Sequence, residues 1–547
     1  SFCLSWLNLV WDRQWNRDGL MTIEKKLLGI SPSGDSPDVA EVFSVDVYKG
    51  NGGTKTINSG IDLSGEGGLV ITKARNLVEG MNWTDTVRGA PNYMRSHVND
   101  VSSALTTGLT AFNSTGHVYG SNSEVNQNTK EYVSWTFRQK SKFLSIVTYS
   151  GNSSSQSIAH DLAGPVGMII IKGINFADDW MVWHKSFPTK NHRFNANAAY
   201  NGDITGGTAP TDTHFTLNND SAYNQSGRTH VAYVFADNSS EDIDDQMIQC
   251  GSFVFGALAA DPYQILTLPW EPQFILCKNS TAGGDWILMD TMRGLVTEPS
   301  NGVRLRVNSN SVEDSGNLKF RSQKELKMNL NGHGTFLYMA VRSSMMQEPE
   351  SATDVLAIST YGGSAANTAE VRHYSGFPVD MFINRDALDT SSENNSLALR
   401  RTHCSSDFLT SAADYIYLNS TAAAGSNSSD WFNSNKGIEP NQGSVSANAN
   451  SMRWMFKRAK GFFDVVTWSG ASANVSTQSH SLGVKPELVI LRYRSVSDNW
   501  YIYSSAGTGR LNMSTSAAVT GTTDYMATTT STVFNSSLTS NPDNDPI

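Results

Sequence analysis

The chain has 547 residues, a net charge of −10 from 41 basic and 51 acidic residues, and only 17% charged residues. The acidic balance excludes phosphate-backbone binding as the main task, and the lack of any run of about 18 apolar residues excludes a membrane-spanning helix. Abundant Ser, Thr, Asn and Gly suit short strands joined by polar loops.

Residues 1–40 stand apart, with Trp6, Trp11 and Trp15 among Leu4, Leu7 and Val10. Leu4-Ser5-Trp6 echoes Val133-Ser134-Trp135. Residues 2–8 therefore read as the closing strand of a preceding unit, or as a strand that fills the groove of a neighbouring chain's fifth unit by strand addition. The segment has no basic n-region, no small-residue cleavage site and no initiator Met, which fits a processed chain or a fragment of a longer one.

From residue 41 a repeat sets the order. Its marker is a short apolar strand ending in a basic residue: LVITK to Lys73, MIIIK to Lys172, FILCK to Lys278, MFINR to Arg385 and LVILR to Arg492. The intervals are 99, 106, 107 and 107 residues. Five units of roughly 100–107 residues follow: 41–140, 141–240, 241–345, 346–459 and an incomplete 460–547.

The first unit opens on SVDVY at Tyr48, carries Trp83 and the turn Asp85-Thr86-Val87-Arg88-Gly89, and closes on YVSWTF at 132–137. The second opens on SIVTY at Tyr149, carries Trp180 and closes on HVAYVF at 230–235. About seven short strands are expected in it, with a uniformly apolar central strand at 168–172. The third opens on SFVFG at Gly256, has Trp286 and a second copy of the turn, Asp290-Thr291-Met292-Arg293-Gly294, and closes on FLYMAV at 336–341. The fourth opens on AISTY at Tyr361, has Glu393 in place of the tryptophan, and closes on MRWMF at 452–456. The fifth opens on DVVTW at Trp468 and carries Trp500. Strands at this density without a helical period imply an all-β chain, a tandem array of β-sandwich units with either jelly-roll or immunoglobulin-like wiring.

The candidates for chemistry are sparse. His160, His373 and His480 fall 11–12 residues after the aromatic that ends their opening strand, and a residue fixed at one repeat position reads as a turn-capping fold residue. Asp242, Asp244 and Asp245, beside Glu241, could supply oxygen ligands to calcium, or form a solvated linker. Trp83, Trp180, Trp286 and Trp500 could stack on sugars, or pack the cores. Carboxylate pairs of the glycosidase kind, Asp62 with Asp85 or Asp178 with Asp179, need the fold to place them. Cys3, Cys250, Cys277 and Cys404 form no CxxC motif and read as four thiols, or as two thiols and one disulfide. No nucleophile elbow, phosphate loop or His-Glu-x-x-His motif is present, so no enzyme activity and no cofactor is expected.

Several motifs together carry a resemblance: Thr148-Tyr149-Ser150-Gly151 and Thr467-Trp468-Ser469-Gly470, Ala159-His160-Asp161-Leu162 and Ser479-His480-Ser481-Leu482, the turn at 85–89, Tyr417-Leu418-Asn419-Ser420-Thr421-Ala422-Ala423, and Val125-Asn126-Gln127-Asn128 before Tyr132-Val133-Ser134-Trp135. From about residue 41 onward the chain resembles repeat-containing structural and tail-fibre-like proteins of marine and cyanobacterial tailed phages. The resemblance implies a virion structural protein, a tail or head fibre that meets the host surface through loops. It implies other virion proteins, copies of itself as a homotrimer or another homo-oligomer, and a host surface glycan or protein as partners, and no catalytic residues. The alternatives are a bacterial surface adhesin or surface-layer protein and, less favoured, a glycan-degrading tailspike.

Overall fold

The computed structural model describes residues 39–199, 202–255, 264–294 and 302–361 (without 317, 323, 329–332, 345 and 347). Further on it describes 373–386, 395–399, 413–422 (without 419), 425–440 (without 428–429 and 435–436), 451–466, 476–493, 497–512 (without 508) and 528–536. The expectations for residues 2–8, Cys3, Glu393, Cys404 and the turn at 467–470 lie outside the described residues. All of the described residues belong to one compact unit, 39–547.

The architecture is all-β, made of many separate antiparallel sheets. One strand order recurs. In the first repeat the opening strand Phe43–Lys49 pairs with the closing strand Glu131–Arg138, which pairs with the marker strand Gly68–Ala74. The marker strand continues into a meander through Asn82–Asp85, Asn92–Arg95 and Ser103–Ala104. A smaller sheet, Lys55–Asn58 with Gly116–Tyr119 and Leu109–Asn113, forms the second layer. The second repeat uses the same order with seven strands, from Leu144–Ser150 to Thr229–Ala236. The third repeat runs from Ile248–Phe255 to Gly334–Arg342, and the fourth from Leu356–Tyr361 to Ser451–Phe456. Beyond them, Leu488–Leu491 pairs with Tyr501–Ser504 and then Leu511–Asn512, and Ser476–Ser479 pairs with Val533–Ser536.

The marker strands are uniformly apolar because both of their faces are covered. All residues of Gly68–Ala74, Val166–Gly173 and Pro272–Asn279 are buried. On one face Val70 joins Tyr48 and Tyr132 against Ile57, Leu109 and Tyr119 of the repeat's own smaller sheet. On the other face Leu69 and Ile71 enter a core that extends through all of the first three repeats, to Met339 and Val341. The repeats are therefore not independent sandwiches in a row. Three of them share one interior.

Candidate functional site

The tryptophans and the two Asp-Thr-x-Arg-Gly turns sit where repeats meet. The second repeat docks on the first through Tyr233, whose hydroxyl donates to Asp85 Oδ2 at 2.8 Å. Asp85 is itself held by Arg88 Nε at 2.6 Å, and Gly89, at φ 74°, closes the turn in a conformation that favours glycine. The first repeat docks on the third in the same way. Trp135, opposite the opening strand as Tyr233 is, donates its indole N–H to Asp290 Oδ2 at 3.0 Å, and Arg293 Nε holds that carboxylate at 2.6 Å. The third repeat docks on the second with the pattern altered. His184 replaces the aspartate, and its Nε2 donates to the carbonyl of Tyr338 at 3.1 Å. Three seams thus close a ring: two on one, one on three, three on two. The recurring Asp-Thr-x-Arg-Gly turn is an acceptor for its neighbour's closing strand.

The basic residue ending each marker strand has a second task. Lys73, Lys172, Lys278 and Arg492 donate to the carbonyl six residues on, at Glu79, Asp178, Gly284 and Asp498. Three of them also reach the preceding repeat: Lys172 to the carbonyl of Asn99 at 3.1 Å, Lys278 to that of Asn197 at 3.0 Å, and Arg492 to that of Ala422. Burial pulls the ammonium groups of Lys73, Lys172 and Lys278 down to about 8.

The tryptophans follow the same logic. Trp180 donates to the carbonyl of Arg95 in the first repeat at 3.2 Å, and Trp286 to that of Arg193 in the second at 2.9 Å. Trp500 packs on Ile416 of the fourth repeat. Each stands eight residues after its basic residue. The equivalent place in the first repeat is Met81. Trp83 lies two residues further along the same strand face, packs its ring 5.3 Å from Trp180, and its indole N–H finds no acceptor among the described residues. All four tryptophans are buried, so none offers a ring face to a sugar; they belong to the seams and cores.

The seam between the first and third repeats adds a buried ion network. Glu313 lies between two guanidiniums, with Arg75 Nη2 at 2.6 Å and Arg293 Nη1 at 2.9 Å. Arg75, Arg293, Asp290 and Glu313 are all buried. Burial pushes the Glu313 carboxyl up, but the two guanidiniums outweigh it and hold it below the usual carboxylate range. Both Glu313 oxygens and Asp290 Oδ2 accept from guanidiniums of the network, and Arg293 Nη2 donates to the Leu288 carbonyl, an arrangement that holds surfaces together.

The remaining candidates are local. His160 Nδ1 accepts from the Leu162 amide at 3.3 Å, and His480 Nδ1 from Leu482 at 3.2 Å, so both cap the His-x-Leu turn. His373 is buried on the strand that pairs with Ile438. Asp62 accepts from the Ser64 and Gly65 amides in an exposed turn, whereas Asp85 lies in a buried seam, so the two do not act as a pair. Asp178 and Asp179 are taken by Arg228 at 3.4 Å and Arg193 at 2.9 Å. Asp242 precedes a short 3-10 turn, Ile243–Asp245, and its side chain makes no cap. Among the described residues no group of three His, Cys, Asp or Glu is disposed to hold a metal, and the Asp244 side chain lies outside them. Cys250 and Cys277 are free and buried, and burial pushes the Cys277 thiol up to about 12.

Sequence reasoning missed Asn126 and Asn224 as working residues. Each ends a one-turn helix, Ser123–Asn126 or Ser221–Asn224, capped by Asn122 or Asp220. Asn126 Nδ2 donates to Asn51 Oδ1 and to the carbonyls of Gly53 and Gly120, while its oxygen accepts from the Asn51 amide. Asn224 does the same for Ser154, Asn218 and Asn152. The shared Asn-Gln pair before each closing strand was the available signal.

Fold and seams define the class: an all-β protein built of repeats, whose polar and aromatic residues hold one repeat to the next. Residues 38–344 and 431–545 match the family model described as a domain of unknown function, DUF7483, and the chain belongs to that family. No curated protein matches it.

Proposed function

We propose that the chain is a structural protein of a phage virion, a fibre-like component of tail or head that contributes to host-surface attachment through loops on its β-sandwich units. Its partners are then other virion proteins, copies of itself, and a host surface glycan or protein. The observation that carries this reading is the shared interior of the first three repeats, closed by three seams and a buried ion network. Such a body resists opening, which suits a mechanical part of an extracellular particle. Loops of the first two repeats are tied by Asn126 and Asn224, and fixed loops lose little entropy on binding. The motif resemblance supplies the phage context. A bacterial surface adhesin or surface-layer protein has the same needs and is the second reading. A glycan-degrading tailspike is less favoured, because the carboxylates of Asp85, Asp290 and Glu313 are engaged in seams.

The test is immunogold electron microscopy of purified phage particles with an antibody raised against the full chain. Label at a fixed place on tail or head supports the reading. Label confined to the bacterial envelope, with unlabelled particles, overturns it in favour of the adhesin.

A further inference from the structure

We propose that the fourth and fifth repeats carry a docking face for a second copy of this chain. In the ring of the first three repeats, each larger sheet turns one face inward, and that face is covered by the other two repeats. On the marker strand the inward residues lie four and two places before the basic residue: Leu69 and Ile71, Met168 and Ile170, Phe274 and Leu276, all buried. On the opening strand the inward position is the one paired with Trp135, Tyr233 or Met339, namely Val45, Ile146 and Cys250, again buried.

The same positions in the last two repeats carry the same kind of side chain and stand open. Leu488 and Ile490, four and two places before Arg492, are 48% and 46% exposed. Ile358, paired with Trp454, is 60% exposed. One seam of the ring type is present here, Trp500 against Ile416 with Met381 and Ile383, and Arg492 to the carbonyl of Ala422. It covers the marker strand of the fourth repeat. Among the described residues, the opening strand of the fourth repeat and the marker strand of the fifth are left uncovered, and Leu488–Leu491 has no strand on its outer edge. In the ring, the Phe274 ring of the third repeat meets the equivalent opening strand of the first at Phe43, and Trp286 meets the second at Phe194.

Wherever this face is covered in the described structure, a face of the same repeat covers it. A second copy brings that face by construction. Two open pairs related by a two-fold axis place Ile358 of one against Leu488 and Ile490 of the other, twice, which is the self-complementary geometry of an isologous dimer. The occupant is therefore a second copy of the chain, joined through its own fourth and fifth repeats.

The experiment is the solution mass of the full chain by sedimentation equilibrium, for the wild type and for Ile358→Asp, Ile490→Asp and, as control, Tyr374→Asp, an exposed residue of the smaller sheet. All three positions are exposed in the single chain, so the variants keep their fold, and circular dichroism and melting temperature check this. The expected wild-type mass is twice the 59.6 kDa of one chain. Ile358→Asp and Ile490→Asp are each expected to weaken dimerisation by at least about 30-fold, the scale of losing an interface anchor, with Tyr374→Asp unchanged. A single-chain mass for the wild type at all concentrations overturns the proposal. So does a dimer that both aspartate variants leave intact, and a multimer of another stoichiometry overturns the two-fold arrangement.

Discussion

Glu313 offers the sharpest test of the shared interior. Replacing it with Gln keeps the shape and one acceptor oxygen but removes the charge between Arg75 and Arg293. Arg293 retains Asp290 at 2.6 Å, while Arg75 loses its nearest carboxylate and keeps Glu131, at 3.8 Å and partly exposed, and the field of Asp290. Arg75 is left with a buried charge that is poorly compensated, and removing one partner of a buried pair costs about 3–5 kcal/mol. The expected loss lies at the lower end, about 3 kcal/mol, because Arg293 keeps its carboxylate. With a denaturant slope of about 3 kcal/mol per molar urea, the midpoint should fall by about 1 M, read by tryptophan fluorescence. The double variant Arg75→Met, Glu313→Leu removes both charges of the pair and should recover most of the loss, since well-packed apolar groups replace a buried pair at little cost. A Glu313→Gln midpoint within about 0.2 M of wild type refutes the reasoning, because it would mean that the first and third repeats do not rely on this seam. The same carboxylate has a pH signature. Its folded value is depressed, so its contribution is present above the unfolded value and fades as pH falls through the folded one.

Acid should destabilise the protein for a second reason. Burial lowers His117 to about 3 and His184 to about 4, so below pH 6.5 the unfolded chain takes up protons that the folded chain refuses. Stability should fall by about 1.4 kcal/mol per pH unit per histidine, about 5 kcal/mol for the pair between pH 6.5 and about 4.5; a flat urea midpoint across that window would contradict it. Trp286→Phe removes the bond to the Arg193 carbonyl and leaves a small void, an expected loss of about 2 kcal/mol in the urea titration. Asn224→Ala unties four bonds in the second repeat's loops and should raise amide hydrogen exchange at 152–156 and 218–226, leaving the marker strands protected.

The repeat was legible because its beat is written in residues that must be apolar, such as 168–172, and in a basic residue with a fixed task. The strands of the second repeat could be placed for the same reason, since turn residues separate period-2 runs. The shared interior was not legible. A uniformly apolar strand says that both faces are covered but not by what, and the cover for Leu69 and Ile71 lies in other repeats. The turns at Asp85 and Asp290 stood out as a pair, yet their purpose depends on Tyr233 and Trp135, which lie 148 and 155 residues away in the chain. Trp83 reads with Trp180 as one repeat position, yet strand pairing places Met81 there: Trp83 sits opposite Ile71, as Val182 sits opposite Ile170.

The three seams of the ring are not chemically alike, and the difference sets an order of events. Two of them join neighbours in the chain, and each is made by a lysine and a tryptophan reaching back to carbonyls of the repeat synthesised before it. The third joins the first repeat to the third, has Met81 where the tryptophan would be, and relies on Glu313 bridging arginines. Domains fold in the order they leave the ribosome. Each new repeat can therefore lock onto the one before it as it emerges, and the ends of the ring meet last, over a closure of 238 residues drawn together by opposite charges. The protein carries its own assembly schedule, with a latch that engages only after all three parts exist.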